Sequence, residues 1–185
     1  YRDFAFHNTL TYDFIPEKTI VAYSFSKNCG MAGLRIGGCL ASPELMKTIK
    51  RYNTNVLSVN ILAQRAALRA LETKDEWIGN VVNTCRSNQE MIRNAVDRID
   101  GCFLPVYPSS TNMFLIDISA TGTHPDAVQE ELLYEHMVFV RSGNYVSKRY
   151  GNRFIRVSFS VPEEGCKRFT DALPSVIENL RQKGR

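Results

Sequence analysis

Ser24-Phe25-Ser26-Lys27-Asn28-Cys29-Gly30-Met31-Ala32-Gly33-Leu34-Arg35-Ile36-Gly37-Gly38 decides how the rest of the chain is read. It follows Thr19-Ile20-Val21-Ala22-Tyr23, an apolar, β-branched run that reads as a buried strand ending at the serines. A lysine at a strand end can occupy a pocket where its ammonium is poorly solvated. Its pKa then falls, and the neutral amine can attack a carbonyl. Ser24 and Ser26 bring two hydroxyls before Lys27, and the Arg35 guanidinium follows eight residues after it. Both kinds of group suit a phosphate. Glycines at 30, 33, 37 and 38 permit the tight backbone path that gathers them.

An activated amine, a phosphate clamp and a glycine-lined turn together point to pyridoxal 5′-phosphate. Ser-x-Ser-Lys, seven residues, then Arg-x-Gly also resembles the signature of the class I and II aminotransferases, the fold type I pyridoxal-phosphate enzymes. The resemblance implies that Lys27 forms the internal aldimine and that Ser24 and Arg35 bind the cofactor phosphate. Ser26 matches the motif as well and is a further candidate phosphate ligand.

Tyr1-Arg2-Asp3-Phe4 resembles the end of the family's Asp-x-x-Tyr-x-x-Phe segment. By that match, Tyr1 bonds the phenolic oxygen of the cofactor. The aspartate that keeps the pyridinium protonated, and so makes the ring an electron sink, falls three positions before Tyr1. The resemblance covers the second half of a typical member. The chain is therefore expected to be a C-terminal fragment, and an inactive one when made alone.

Near the other end, Asn152-Arg153-Phe154-Ile155-Arg156-Val157-Ser158-Phe159-Ser160 reads as a strand. The family has a late strand whose arginine grips the substrate α-carboxylate, a task suited to a planar guanidinium making two parallel hydrogen bonds. Arg156 matches that arginine, between Phe154-Ile155 and Val157-Ser158, with Arg153 as its nearby competitor. Strand alternation sets residues 153 and 156 on opposite faces, so one of them points into the site.

The fold class expected is α/β: the C-terminal part of the fold type I large domain, a long connecting helix, and an α+β small domain. The boundaries read as 1–73 for the end of the large cofactor-binding domain, 74–100 for the interdomain helix and 101–185 for the small domain. Within them, a short strand is expected at Ile36–Ala41, then a helix capped by Ser42 with Pro43 in its first turn. A second helix covers Val59–Leu71. The pattern from Lys74 to Ile99 is helical throughout, a length of nearly 40 Å at about 1.5 Å per residue, and Gly101 ends it. Strands are expected at Cys102–Val106, Asn112–Ile118 and Met137–Val140, with a helix starting at Pro125 between the last two. Pro162 opens a final helix whose Cys166, Phe169, Leu173, Val176, Ile177 and Leu180 recur at helical spacing.

Hydrophobic content of 44% and charged content of 23% are ordinary for a globular chain, and no apolar run reaches the roughly 20 residues that span a bilayer. Five cysteines, at 29, 39, 85, 102 and 166, are an odd number without paired spacing, which argues for a reducing, cytoplasmic setting. Cys29 is read as a small packed thiol. Histidines 7, 124 and 136 give no metal spacing, and a net charge of +4 without aromatic-interleaved basic patches gives no nucleic-acid signal. Neither a metal nor a membrane partner is expected.

The resemblance implies transamination between an amino acid and a 2-oxo acid, usually by a homodimer. Aspartate-aminotransferase-like and histidinol-phosphate-aminotransferase-like members both fit. A decarboxylase or lyase on the same scaffold stays open, since one carbanion serves several reactions. So does a ligand-sensing aminotransferase-like domain of a transcription regulator.

Overall fold

The computed structural model describes residues 16–54 and 57–184, and the chain divides into two compact units, Tyr1–Glu76 and Trp77–Arg185. In the first unit, β1 (Val21–Ser24) pairs antiparallel with β2 (Gly37–Leu40), and the one-turn helix α1 (Phe25–Asn28) begins directly where β1 stops. Helix α2 (Pro43–Tyr52) starts as expected: the Ser42 hydroxyl accepts from the Leu45 N–H, and Pro43 takes the first turn, where its missing donor is harmless. Helix α3 (Ile61–Glu72) is capped by Asn60, whose side-chain oxygen accepts from Leu62 and Ala63. The small core of this unit is Phe25 and Ile36 against Ala63 and Ala67 of α3, with Cys29 and Met31 packed beside them. Alanines on that helix face let it approach the lysine turn closely.

The unit boundary falls in the first turn of α4 (Lys74–Val96). The second unit continues with β3 (Met113–Asp117), α5 (Pro125–His136), β4 (Arg141–Ser142), β5 (Phe154–Ser158) and α6 (Glu163–Lys183). Its sheet is antiparallel in the order β3-β5-β4. Alternation sends Phe114, Ile116, Ile155 and Val157 to one face, where they pack with Ile92, Leu132, Leu173 and Ile177 of the helices. The apolar stripe read from α6 is the buried one, with Leu180 at its edge. Asn88 ties α4 to the end of β5: its side-chain amide donates to the carbonyls of Phe159 at 2.9 Å and Val161 at 2.8 Å.

Four sequence expectations need correction. The run Cys102–Val106 makes a single bridge, Phe103 with Asp117, because Pro105 has no N–H with which to extend a ladder. Met137–Val140 is not a strand. Met137 takes the left-handed conformation at the end of α5, and the Met137 and Val138 N–H groups bond back to Leu133 and Leu132. Those donors complete the helix terminus, so the strand is delayed to Arg141. Helix α4 ends at Val96 rather than Ile99, since residues 98 and 99 bond three back and tighten the last turn. Arg153 lies in a 3-10 turn, Gly151–Arg153, and the strand begins only at Phe154.

Candidate active site

Ser24 is the hinge of the first cluster. It closes β1, and its hydroxyl accepts from the Ser26 N–H at 3.2 Å, capping α1. That one turn of helix carries Ser26 and Lys27 on the segment that leaves the strand. After it, the N–H groups of Cys29 and Met31 both bond to the Phe25 carbonyl, and a 3-10 turn spans Ala32–Leu34. The backbone then returns, and Gly37 pairs with Ser24 in register. A Cβ at Gly37 would lie 2.9 Å from the Tyr23 carbonyl oxygen, so the excursion can close this tightly only on glycine. Phe25 at its start and Ile36 at its end are both buried, which anchors the two ends of residues 25–36 to one core.

Arg35 sits in this excursion with φ of 52°, a left-handed conformation that is unusual for a residue with a Cβ and costs roughly 1–2 kcal/mol. Its guanidinium donates to the Ala32 carbonyl at 2.8 Å. Ser24, Lys27 and Arg35 are exposed and Ser26 is half-buried. The poorly solvated pocket expected around Lys27 is thus not formed by the described residues: the lysine turn packs on α3 through Phe25 and Ile36 and leaves its polar side open. Cys29 is partly buried against the same core, as read. Tyr1 lies outside the described residues.

The second cluster is on β5. Ile155 and Val157 face the core, so Arg156 projects from the opposite face, half-buried, with Leu115 and Arg141 as its direct cross-strand neighbours. Arg153 is engaged elsewhere, 2.7 Å from the fully buried Asp117 carboxylate. Burial by itself would raise the Asp117 pKa, but two hydrogen bonds from Ser119 and the Arg153 contact outweigh it and hold the carboxyl below its ordinary range. Among the described residues, neither Arg141 nor Arg156 has a carboxylate within ion-pair distance. Their guanidinium carbons stand 4.4 Å and 5.9 Å from the Tyr145 ring centre.

Sequence reasoning gave Arg141 and Tyr145 no role. The signal that pairs them with Arg156 is the β4–β5 register, which depends on how the intervening loop folds and not on local periodicity. Away from these clusters, burial pushes the thiols of Cys102 and Cys166 up to about 11, which keeps them protonated and unreactive.

Residues 1–173 match the family model for aminotransferase class I and II. The chain is 36% identical over 130 residues to a histidinol-phosphate aminotransferase of Brevibacillus brevis, covering 68% of this chain and 32% of that protein. It is 32% identical over 162 residues to histidinol-phosphate aminotransferase 2 of Carboxydothermus hydrogenoformans, covering 88% and 41%. Among solved structures, the L-threonine-O-3-phosphate decarboxylase from Porphyromonas gingivalis superposes with a TM-score of 0.71 at 25% identity, over 88% of this chain and 47% of that one. The chain thus spans less than half the length of the relatives it matches.

Proposed function

The chain belongs to the aminotransferase class I and II family, and from that membership we propose that it supplies the lysine and arginine machinery of a pyridoxal-phosphate-dependent aminotransferase acting on an amino acid and a 2-oxo acid. One observation carries the reading: Ser24, Ser26, Lys27 and Arg35 share a single excursion of backbone pinned shut by the Ser24–Gly37 pair. The donor set fits the cofactor. Two hydroxyls and a guanidinium suit its phosphate, and a primary amine suits its aldehyde. The strained backbone at Arg35 fits a residue held for what its side chain contacts.

When bound, pyridoxal phosphate supplies an electron sink for charge developing at the substrate Cα. Lys27 would hold it through its primary amine, and the same amine would be the group that moves the proton at the substrate Cα. A positioned amine of this kind contributes about 10²–10⁴-fold. Arg156 receives the substrate carboxylate and so orients the Cα–H bond. Tyr1 is assigned to the phenolic oxygen of the cofactor. Arg141, opposite Arg156 on the same sheet face, adds a second cation and favours a substrate with a second anionic group, in keeping with relatives named for phosphorylated substrates. Decarboxylation of such a substrate is the second reading, favoured by the likeness to the phosphothreonine decarboxylase.

In this reading 1–73 is the end of the large cofactor-binding domain, 74–100 the connecting segment built on α4 and 101–185 the small domain. The functional state is a homodimer, and five unpaired cysteines fit a reducing cytoplasm. The test is borohydride reduction in the presence of pyridoxal phosphate, followed by peptide mapping. A pyridoxyl group on Lys27 is the expected result; label on another lysine with Lys27 unmodified overturns the assignment.

A further inference from the structure

We infer that Tyr145 is a positioning residue: its ring holds the Arg141 and Arg156 guanidinium groups in place before an anionic ligand arrives. The inference rests on the reading of Arg156 as the carboxylate arginine. It begins from a conflict in the sheet. Arg141 and Arg156 are directly opposite in the β4–β5 register, and like charges so placed repel. Among the described residues no carboxylate relieves them. What faces both is an aromatic ring, with Arg141 4.4 Å and Arg156 5.9 Å from its centre. The negative face of an aromatic ring attracts cations within about 6 Å, so the ring offsets the repulsion without neutralising the charge that an anion needs. Arg141 is also 5.0 Å from the Phe139 ring centre, which leaves it contacting two aromatics.

The backbone that carries the ring is held by close contacts. Gly143 and Gly151 touch, and a Cβ on either would run into the carbonyl oxygen of the other. The Val146 and Ser147 N–H groups bond to the Gly143 carbonyl at 2.8 Å and 2.9 Å. The neighbouring Asn144 donates from its side chain to Asp126 at 3.2 Å. Tyr145 nevertheless remains 67% exposed. A core role does not explain an aromatic so open on a loop so constrained, and no hydrogen bond among the described residues engages its hydroxyl. The ring's contacts with the two arginines remain. Freely rotating arginines lose rotamer freedom when they bind, and stacking them beforehand lowers that loss.

The test uses the 185-residue chain and its Tyr145→Phe, Tyr145→Leu and Arg156→Lys variants. One arm measures the order of the arginine Nε–Hε groups by NMR in the free protein, and the other titrates in inorganic phosphate at low salt. Arg93, 4.7 Å from the Tyr107 ring centre, is an internal control on a separate tyrosine. Tyr145→Leu is expected to lower the order at Arg141 and Arg156 and to weaken phosphate binding there roughly 3–10-fold. Tyr145→Phe should keep both near wild type, and Arg93 should not change. Unchanged Arg141 and Arg156 order in Tyr145→Leu overturns the inference, whatever phosphate does. If order falls as expected but phosphate binds wild type and Arg156→Lys alike, positioning stands and the anion-binding reading of Arg156 falls.

Discussion

Asp117 and Arg153 make a one-sided ion pair, 2.7 Å apart: the Asp117 side chain is 0% exposed and the Arg153 side chain 48%. The pair closes the end of the β3–β5 ladder and takes Arg153 out of contention as a free anion receptor. Arg153→Met should destabilise the fold at neutral pH by about 1.5–3 kcal/mol, the worth of a hydrogen bond to a charged group. Because the Asp117 pKa is depressed in the fold, its contribution is complete above the unfolded value of about 3.9 and is lost as pH falls through the lower folded value. Urea denaturation of wild type and variant should therefore show a gap at pH 7 that shrinks towards pH 3. An undiminished gap at pH 3 would assign the effect to packing.

Arg156→Lys should weaken amino-acid binding by about 10–150-fold, through loss of a charge-assisted hydrogen bond, while cofactor absorbance is retained. Arg153→Lys should leave affinity nearly unchanged. Titrations with an amino acid, followed by cofactor absorbance, separate the two, and the reverse pattern would reassign the carboxylate to Arg153.

Asn88 joins α4 to the end of β5 through the carbonyls of Phe159 and Val161, on either side of the Cys85–Ser160 side-chain contact. Its truncation to alanine strands the buried Phe159 acceptor, at about 1–3 kcal/mol, and removes the donor to the part-buried Val161 carbonyl. A drop of several degrees in Tm is the expected reading. A melting curve indistinguishable from wild type would mean that water replaces the amide.

Made alone, the chain should show no turnover. Lys27 is exposed, and nothing among the described residues excludes water from the reacting amine. Half-transamination with a panel of amino acids is the assay. Rates in the ordinary enzyme range of ~1–10³ s⁻¹ would refute the expectation.

Much of this architecture was legible in the sequence where one local rule decides the outcome. Ser42-Pro43 specified the start of α2, the stripe from Cys166 to Ile177 specified the buried face of α6, and Ser24-x-Ser26-Lys27 marked the end of a strand. The misreadings have a common origin. At Cys102–Val106 and Met137–Val140 the side chains favour a strand, but backbone donors are missing at Pro105 or committed to the end of α5. Side-chain pattern does not report where N–H groups are used. The Arg141–Arg156 pairing was hidden for a related reason: it is set by a loop of nine residues, Gly143–Gly151, closed on two glycines in contact.

The shortness of β4 reaches beyond the site. A two-residue margin offers an arriving chain almost no ladder to copy, and on the far side Phe103 already occupies the last rung of β3. Polymerisation by strand addition is therefore disfavoured at the β4 margin of the arginine-bearing sheet.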